Sequence, residues 1–226
     1  MDFPVTTLAV ERAVRLVSTG RLRDPVLLRL VDASLLDDLA EIEGATSGRL
    51  LGENAAAGLF PRGRPHANFV NAAFAYFRPH ELNRFNGRER GAWYAAFEVE
   101  TSLGEVAFHM RRELERVNDH RATVEYAELW ASFAGDFTDL RGVVPVPACL
   151  HPDPAIGYPA GNLLADQTRS AGLNGIVYPS VRHPGGTCLV ALWPHVVQSV
   201  AQGRVLRLVW SGSPDHTAEV VGSSPS

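Results

Sequence analysis

The sequence predicts an α+β fold in a single domain, and three observations carry that expectation. An apolar, aromatic run at residues 92–99, AWYAAFEV, passes directly into a stretch whose apolar residues recur at helical spacing. Two short β-branched or aromatic runs, GIVYPS and TCLVALW, follow later, joined by the turn-rich VRHPGG. No internal repeat, linker or charge block divides the 226 residues, 46% of them hydrophobic, so one layered unit with one sizeable core is expected.

Taken in order, residues 1–80 read as a helical N-terminal part of that domain. ERAVRLV and then residues 25–52 place apolar side chains three and four apart, with Leu27, Leu30, Val31, Leu35, Leu39 and Ile42 as a buried stripe. Residues 55–79 are punctuated by Pro and Gly and read as a structured connection. After the strand at 92–99, a helix is expected from about Ser102 to Asn118, with Leu103, Val106, Ala107, Met110, Leu114 and Val117 on one face. VEYAELWASF alternates as a second strand, and the proline-rich residues 143–159 are too interrupted for either regular element. GNLLADQTRSAG reads as a helix stopped at Gly172, LRLVWS as a last strand, and residues 212–226 as a flexible tail.

Charge and cysteine content narrow the function. A net charge of −4 gives no clustered basic footprint for nucleic acid or an anionic membrane. Cys149 and Cys188 lack any spacing for zinc or a redox pair, which fits a reducing cytoplasm. No basic leader precedes an apolar stretch, and no segment reaches the roughly 18 apolar residues of a membrane helix, so a soluble cytoplasmic protein is expected. HExxH, GxGxxG, GxSxG and the phosphate-loop pattern are all missing, and no metal site is expected.

Glu105 has two readings. Ser102-Leu-Gly-Glu105 fits a capping box, in which the glutamate returns to the N-cap amide. On a helical wheel, however, Glu105, Phe108 and His109 fall away from the apolar stripe, and an aromatic on that side implies that this face also meets protein. The readings are compatible, because a helix N-terminus stabilises an acidic side chain. Most arginines are solvated surface cations, but Arg84, in LNRFNG, is flanked by Phe85 and Asn86, which implies a partly buried guanidinium suited to an anion such as pyrophosphate. Trp93 and Tyr94 point to opposite faces of their strand, so one of them looks away from the shared core, toward a ligand ring. Ser180 is a turn serine by default, and His183 is too close in sequence to suggest a triad.

Together these segments resemble the RES-domain proteins, the toxin half of bacterial Xre–RES toxin–antitoxin pairs, named for an arginine, a glutamate and a serine. Tyr94 precedes Glu105 by eleven positions, in ETSLGEV where the family typically reads like ETALAEV. The family's later block, G-x-x-G-I-x-Y-P-S-x-R-x-P-G-G-T-x-L-V, is similar to GLNGIVYPSVRHPGGTCLV, with Gly172, Gly175, Ile176, Tyr178, Pro179, Ser180, Arg182, Pro184, Gly185, Gly186 and Thr187 matching. Where family members often show G-G-R-W-N, this chain has Leu82, Asn83, Arg84, Phe85 and Asn86, keeping the arginine, an aromatic and the asparagine while losing both glycines. The family's N-terminal arginine is most similar to VRLVSTGR, which gives Arg15 first and Arg21 second.

The resemblance implies a twisted β-sheet core of the diphtheria-type ADP-ribosyltransferase kind with flanking helices, residues 81–211 forming that core and its NAD site. It implies NAD as substrate, with Glu105 facing the ribose, Arg84 and either Arg15 or Arg21 on the pyrophosphate, Tyr94 stacked on the nicotinamide, and Ser180 positioning the ribose or the carboxylate. Asn86 joins the ligand-binding set, and His109, one turn after Glu105, would tune that carboxylate. The expected activity is NAD consumption by hydrolysis or phosphorolysis. Transfer of ADP-ribose to a protein, and a non-catalytic interaction module, are the alternatives. The expected partner is an Xre-type helix-turn-helix antitoxin that itself contacts DNA, with a homodimer possible within the complex.

Overall fold

The computed structural model describes residues 3–19, 67–75, 82–87 and 90–222. The helix expected through residues 25–52, and Arg21, lie outside the described residues. Seven strands make one sheet: β1 (Val5–Ser18), β2 (Trp93–Ala96), β3 (Arg121–Asp139), β4 (Gly175–Pro179), β5 (Thr187–Ala191), β6 (Gln198–Ser211) and β7 (His216–Gly222), in the order β1-β2-β5-β4-β3-β6-β7. Helices α1 (Ala67–Ala75), α2 (Val99–Val117) and α3 (Pro154–Ser170), with two short 3-10 turns at Ala148–Leu150 and Pro194–Val196, complete the described elements, and the expected α+β class holds. Among the described residues no helix is long and apolar enough to cross a membrane.

β3 organises the sheet because it has three neighbours. It pairs antiparallel with β1 from Val5↔Thr138 to Ser18↔Tyr126, antiparallel with β6 along its first part, and parallel with β4 at Phe137, Thr138 and Asp139. β1 also meets β2 at the single pair Val14↔Ala96, so β1, β3, β4, β5 and β2 close on one another.

Strand alternation then sorts side chains onto two faces. Trp93, Ala95, Val177, Leu189 and Ala191 enter one core with Phe133, Phe137 and residues of α1. Ala96, Ile176, Tyr178, Cys188 and Val190 enter a second, with Phe85, Leu164 and Ala165, and Tyr94 packs against it. Trp93 and Tyr94 thus face opposite ways, as their adjacency requires. The apolar stripe of α2 packs on a third core made by Val14, Leu16, Leu206, Leu208 and Trp210.

Four local expectations change. ERAVRLV is strand, not helix: its apolar spacing suits either element, but β1 is rich in Val and Thr, whose stiff branched side chains favour the pleat, and Ala13, Val14 and Leu16 are buried around a bulge after Val10. The connection at 55–79 contains α1. The proline-rich stretch does become regular, since α3 starts at Pro154: Asp153 accepts the Ala155 amide hydrogen at 2.9 Å, and a proline at the first helical position loses only a donor that had no partner there. Residues 216–222 of the expected tail form β7, which Arg207 ties to the sheet by donating to Glu219 at 3.0 Å while its other nitrogens hold Glu125 of β3.

Across β3 and β6 a carboxylate is buried with all its needs met. Glu128, 2% exposed, accepts from the Arg204 amide, Nε and Nη2 and from the Trp130 indole. Burial alone would raise this carboxyl, but those donors outweigh it and hold it below the usual carboxylate range. A depressed folded-state pKa contributes stability that is present above the unfolded value, about 4.3 for glutamate, and is lost as pH falls through the folded value. Glu128→Gln should therefore lose most stability at neutral pH, and the gap to the wild-type chain in denaturation midpoints should narrow as pH falls below about 4. A gap independent of pH would remove the ionised carboxylate from this account.

Candidate active site

The site forms where β2 gives way to α2 and β4 gives way to the loop at 180–186. α2 begins at Val99, three residues before Ser102, with Glu98 as its N-cap residue in extended backbone. The capping-box reading is thereby corrected: Ser102 lies inside the helix, and Glu105 falls in the second turn, beyond the reach of the terminal dipole. Glu98 instead accepts from the Thr101 hydroxyl at 2.9 Å and from the Thr187 amide at 3.4 Å, which joins the helix start to β5.

Glu105 Oε1 accepts a hydrogen bond from Ser180 Oγ at 2.9 Å. That hydroxyl also accepts from the amides of Arg182 at 3.2 Å and His183 at 3.0 Å. Both of its acceptor positions are filled, so its one proton points to the carboxylate. The loop is closed by Ser180 N–H donating to Gly186 O at 2.8 Å, and by His183 Nδ1 lying 2.9 Å from the Thr101 hydroxyl. Since the Thr101 proton goes to Glu98, His183 serves as the donor, with its proton on Nδ1.

Arg84 is buried beside this cluster. Its Nη1 donates to Cys149 O at 2.6 Å and His151 O at 3.1 Å, and its guanidinium lies 5.4 Å from the Tyr158 ring centroid. Close approach to α3 requires glycine: a Cβ on Gly161 would run into the Arg84 carbonyl, and one on Gly157 into the His151 carbonyl and then Arg84 Nη1. Tyr94 fastens the same loop, its hydroxyl accepting from Phe85 N–H and donating to Asn86 Oδ1, each at 2.9 Å. Asn86, 2% exposed, returns Nδ2 to Arg90 O at 3.1 Å. Burial pushes the Tyr94 phenol well above its ordinary value, against the Phe85 hydrogen bond. Tyr178 and Cys188 are raised first by burial, and Glu105 adds to both. The glutamate is therefore surrounded by neutral phenol and thiol groups, with Cys188 Sγ 3.9 Å from Oε1.

Glu105 and Arg84 are joined through the loop at 180–186: Ser180 donates to Glu105, and Arg182 donates to Pro152 O, the carbonyl next to the His151 O that Arg84 holds. Arg15 meets the start of β2: its guanidinium sits 5.1 Å from the Trp93 ring centroid, its Nη1 is 3.5 Å from Ala92 O, and its charge also lowers Tyr94. His109 is exposed, its ring edge-on to Phe108 with centroids 5.5 Å apart. Arg182, Tyr158 and Phe108 join the site without having been singled out from sequence as site residues. Arg182 lies 3.4 Å over the Phe108 ring and donates through Nη2 to Pro152 O at 2.7 Å. The signals for it were its place in the matched block and an aromatic off the stripe of α2. A cavity of about 550 Å³ opens elsewhere, between Glu11, Arg12, Glu128, Trp130, Gln202 and Arg204. It shares no residue with the cluster, and its buried carboxylate is already saturated by Arg204 and Trp130.

Tyr94→Phe removes the hydroxyl that pairs with Phe85 N–H and Asn86, and should cost about 1–3 kcal/mol for buried groups left unpaired. Urea denaturation measures it, and an unchanged midpoint would show that the loop has another anchor.

The family model of the RES domain matches residues 59–211. No curated protein matches the chain. A match over more than half of the sequence that spans Arg84, Glu105 and Ser180 together places this protein in the RES-domain family.

Proposed function

We propose that the protein is a toxin that consumes NAD by breaking the nicotinamide–ribose bond, with water or phosphate as acceptor. Family membership supports the coarser part, since RES-domain proteins are generally NAD-related toxins. The observation that carries the finer part is the Ser180–Glu105 hydrogen bond of 2.9 Å, which leaves Glu105 Oε2 without a hydrogen-bond donor among the described residues. Cleavage sends the bonding electron pair to the pyridinium nitrogen, so nicotinamide departs neutral and needs no acid. Positive charge moves onto the ribose, where a fixed carboxylate in partly desolvated surroundings stabilises it. The acceptor oxygen then bonds to the anomeric carbon, and its proton passes to Glu105 or to solvent.

In this reading Ser180 orients the carboxylate and is no nucleophile. Tyr94 holds the Arg84 loop through its hydroxyl, which leaves its ring for the nicotinamide. Arg84 serves the substrate's phosphates with the donors that Nη1 does not spend on Cys149 and His151. An Xre-type helix-turn-helix antitoxin is the proposed partner, on the strength of family membership alone.

With purified protein and NAD, nicotinamide should be released, and Glu105→Gln should lower the rate by about 10²–10³-fold, as loss of a charge-stabilising group does, without a change in melting temperature. Turnover that survives this substitution would dismiss the carboxylate from the chemistry. Labelled NAD incubated with cell extract separates the routes: free ADP-ribose products mark consumption, and label on protein marks transfer.

A further inference from the structure

We propose that Arg182 is the second cation of a phosphate seat, facing a phosphate group jointly with Arg84 at the side of Glu105. The choice of substrate rests on the NAD reading above, while the seat rests on other side chains. The two guanidinium groups are anchored on one short turn. Arg84 Nη1 takes the carbonyls of Cys149 and His151, at 2.6 and 3.1 Å, and Arg182 Nη2 takes the next carbonyl, that of Pro152, at 2.7 Å. Consecutive carbonyls thus hold both cations at one place.

Arg182 is also fixed in its plane. Its guanidinium lies 3.4 Å from the Phe108 centroid, so one face is covered by the ring, and the remaining N–H groups project from its edge. A planar fork with its orientation set by stacking is the form in which arginine recognises phosphate. The electrostatics leave this pair wanting an anion. Burial first, then Arg84, and more weakly Arg112 on the same Phe108 ring, lower the proton affinity of Arg182, while Glu105 and Tyr158 oppose them. Elsewhere arginines are matched to acids, as in Arg141–Asp139, Arg204–Glu128 and Arg207–Glu125. Among the described residues neither Arg84 nor Arg182 meets a carboxylate at ion-pair distance. Two adjacent, partly desolvated cations repel each other, and a dianion between them relieves that cost. Arg15, the sequence-based choice for the second cation, is held elsewhere, at the start of β2, by the Trp93 ring and the Ala92 carbonyl.

The phosphate belongs either to the dinucleotide or to free phosphate acting as acceptor, and binding by the full chain separates the two. Calorimetric titrations with ADP-ribose, inorganic pyrophosphate, inorganic phosphate and nicotinamide riboside compare the wild type with Arg182→Gln and Arg182→Lys. Arg182→Gln should weaken ADP-ribose and pyrophosphate about tenfold or more, the scale of a lost charged hydrogen bond, while nicotinamide riboside, which has no phosphate, is unaffected. Arg182→Lys should fall between, keeping the charge and losing the fork. Loss confined to inorganic phosphate would place the acceptor in the seat, and would support the proposal in that form. Equal weakening of all four ligands would reduce Arg182 to a rivet of the fold, and unchanged phosphate affinities, or no phosphate binding by the wild type, would overturn the seat outright. Should Arg182→Gln melt early, the lysine variant carries the comparison. The readout is binding without turnover, so a chain that proves unable to cleave NAD can still pass or fail here.

Discussion

Ser180 Oγ receives hydrogen bonds from two amides of its own loop and has one direction left for its proton, toward Glu105. That constraint ties the end of β4 to the second turn of α2. It fixes one carboxylate oxygen, and the packing of α2 on the third core keeps the helix from turning the acid away. Fold and site are one problem at this point, because the β4–β5 register that aligns Tyr178 with Cys188 also sets where the loop begins. A hydroxyl in this position locates a charge, and its lone pairs are not available for attack.

Arg84 is positioned by backbone and not by acids. Helix α3 comes close enough to the 82–87 loop because Gly157 and Gly161 carry no side chains, and the turn before α3 turns its carbonyls toward the guanidinium. Carbonyl dipoles orient a cation without neutralising it. The positive charge in the site therefore stays available to a ligand, which a salt bridge of the kind at Glu128 would not permit.

The residues of the candidate site are more legible in the sequence than the architecture around them. Glu105, Ser180 and Arg84 could be named because their flanking residues form motifs, and Tyr94 because alternation forbade it from sharing a core with Trp93. Arg182 stood within the same matched block, but its role depends on stacking against Phe108, 74 positions earlier, and on a carbonyl 30 positions earlier, which no local pattern encodes. Ser102-Leu-Gly-Glu105 imitates a cap and so suggests too late a start for α2, while the actual N-cap residue, Glu98, makes no side-chain bond to its helix amides. The apolar spacing of ERAVRLV suits a helix as well as a bulged strand, and the Val and Thr of the whole segment together with the long pairing with β3 decide for the strand.

The ring of strands β1, β3, β4, β5 and β2 is unevenly joined. β1 lies along β3 for twelve register pairs, yet touches β2 at one, Val14↔Ala96. That rung is a seam. Arg15 stands on the β1 side of it, and Tyr94 on the β2 side, two residues from Ala96. Parting the two edges there would break one register pair and would shift the guanidinium relative to the phenol that tethers the Arg84 loop.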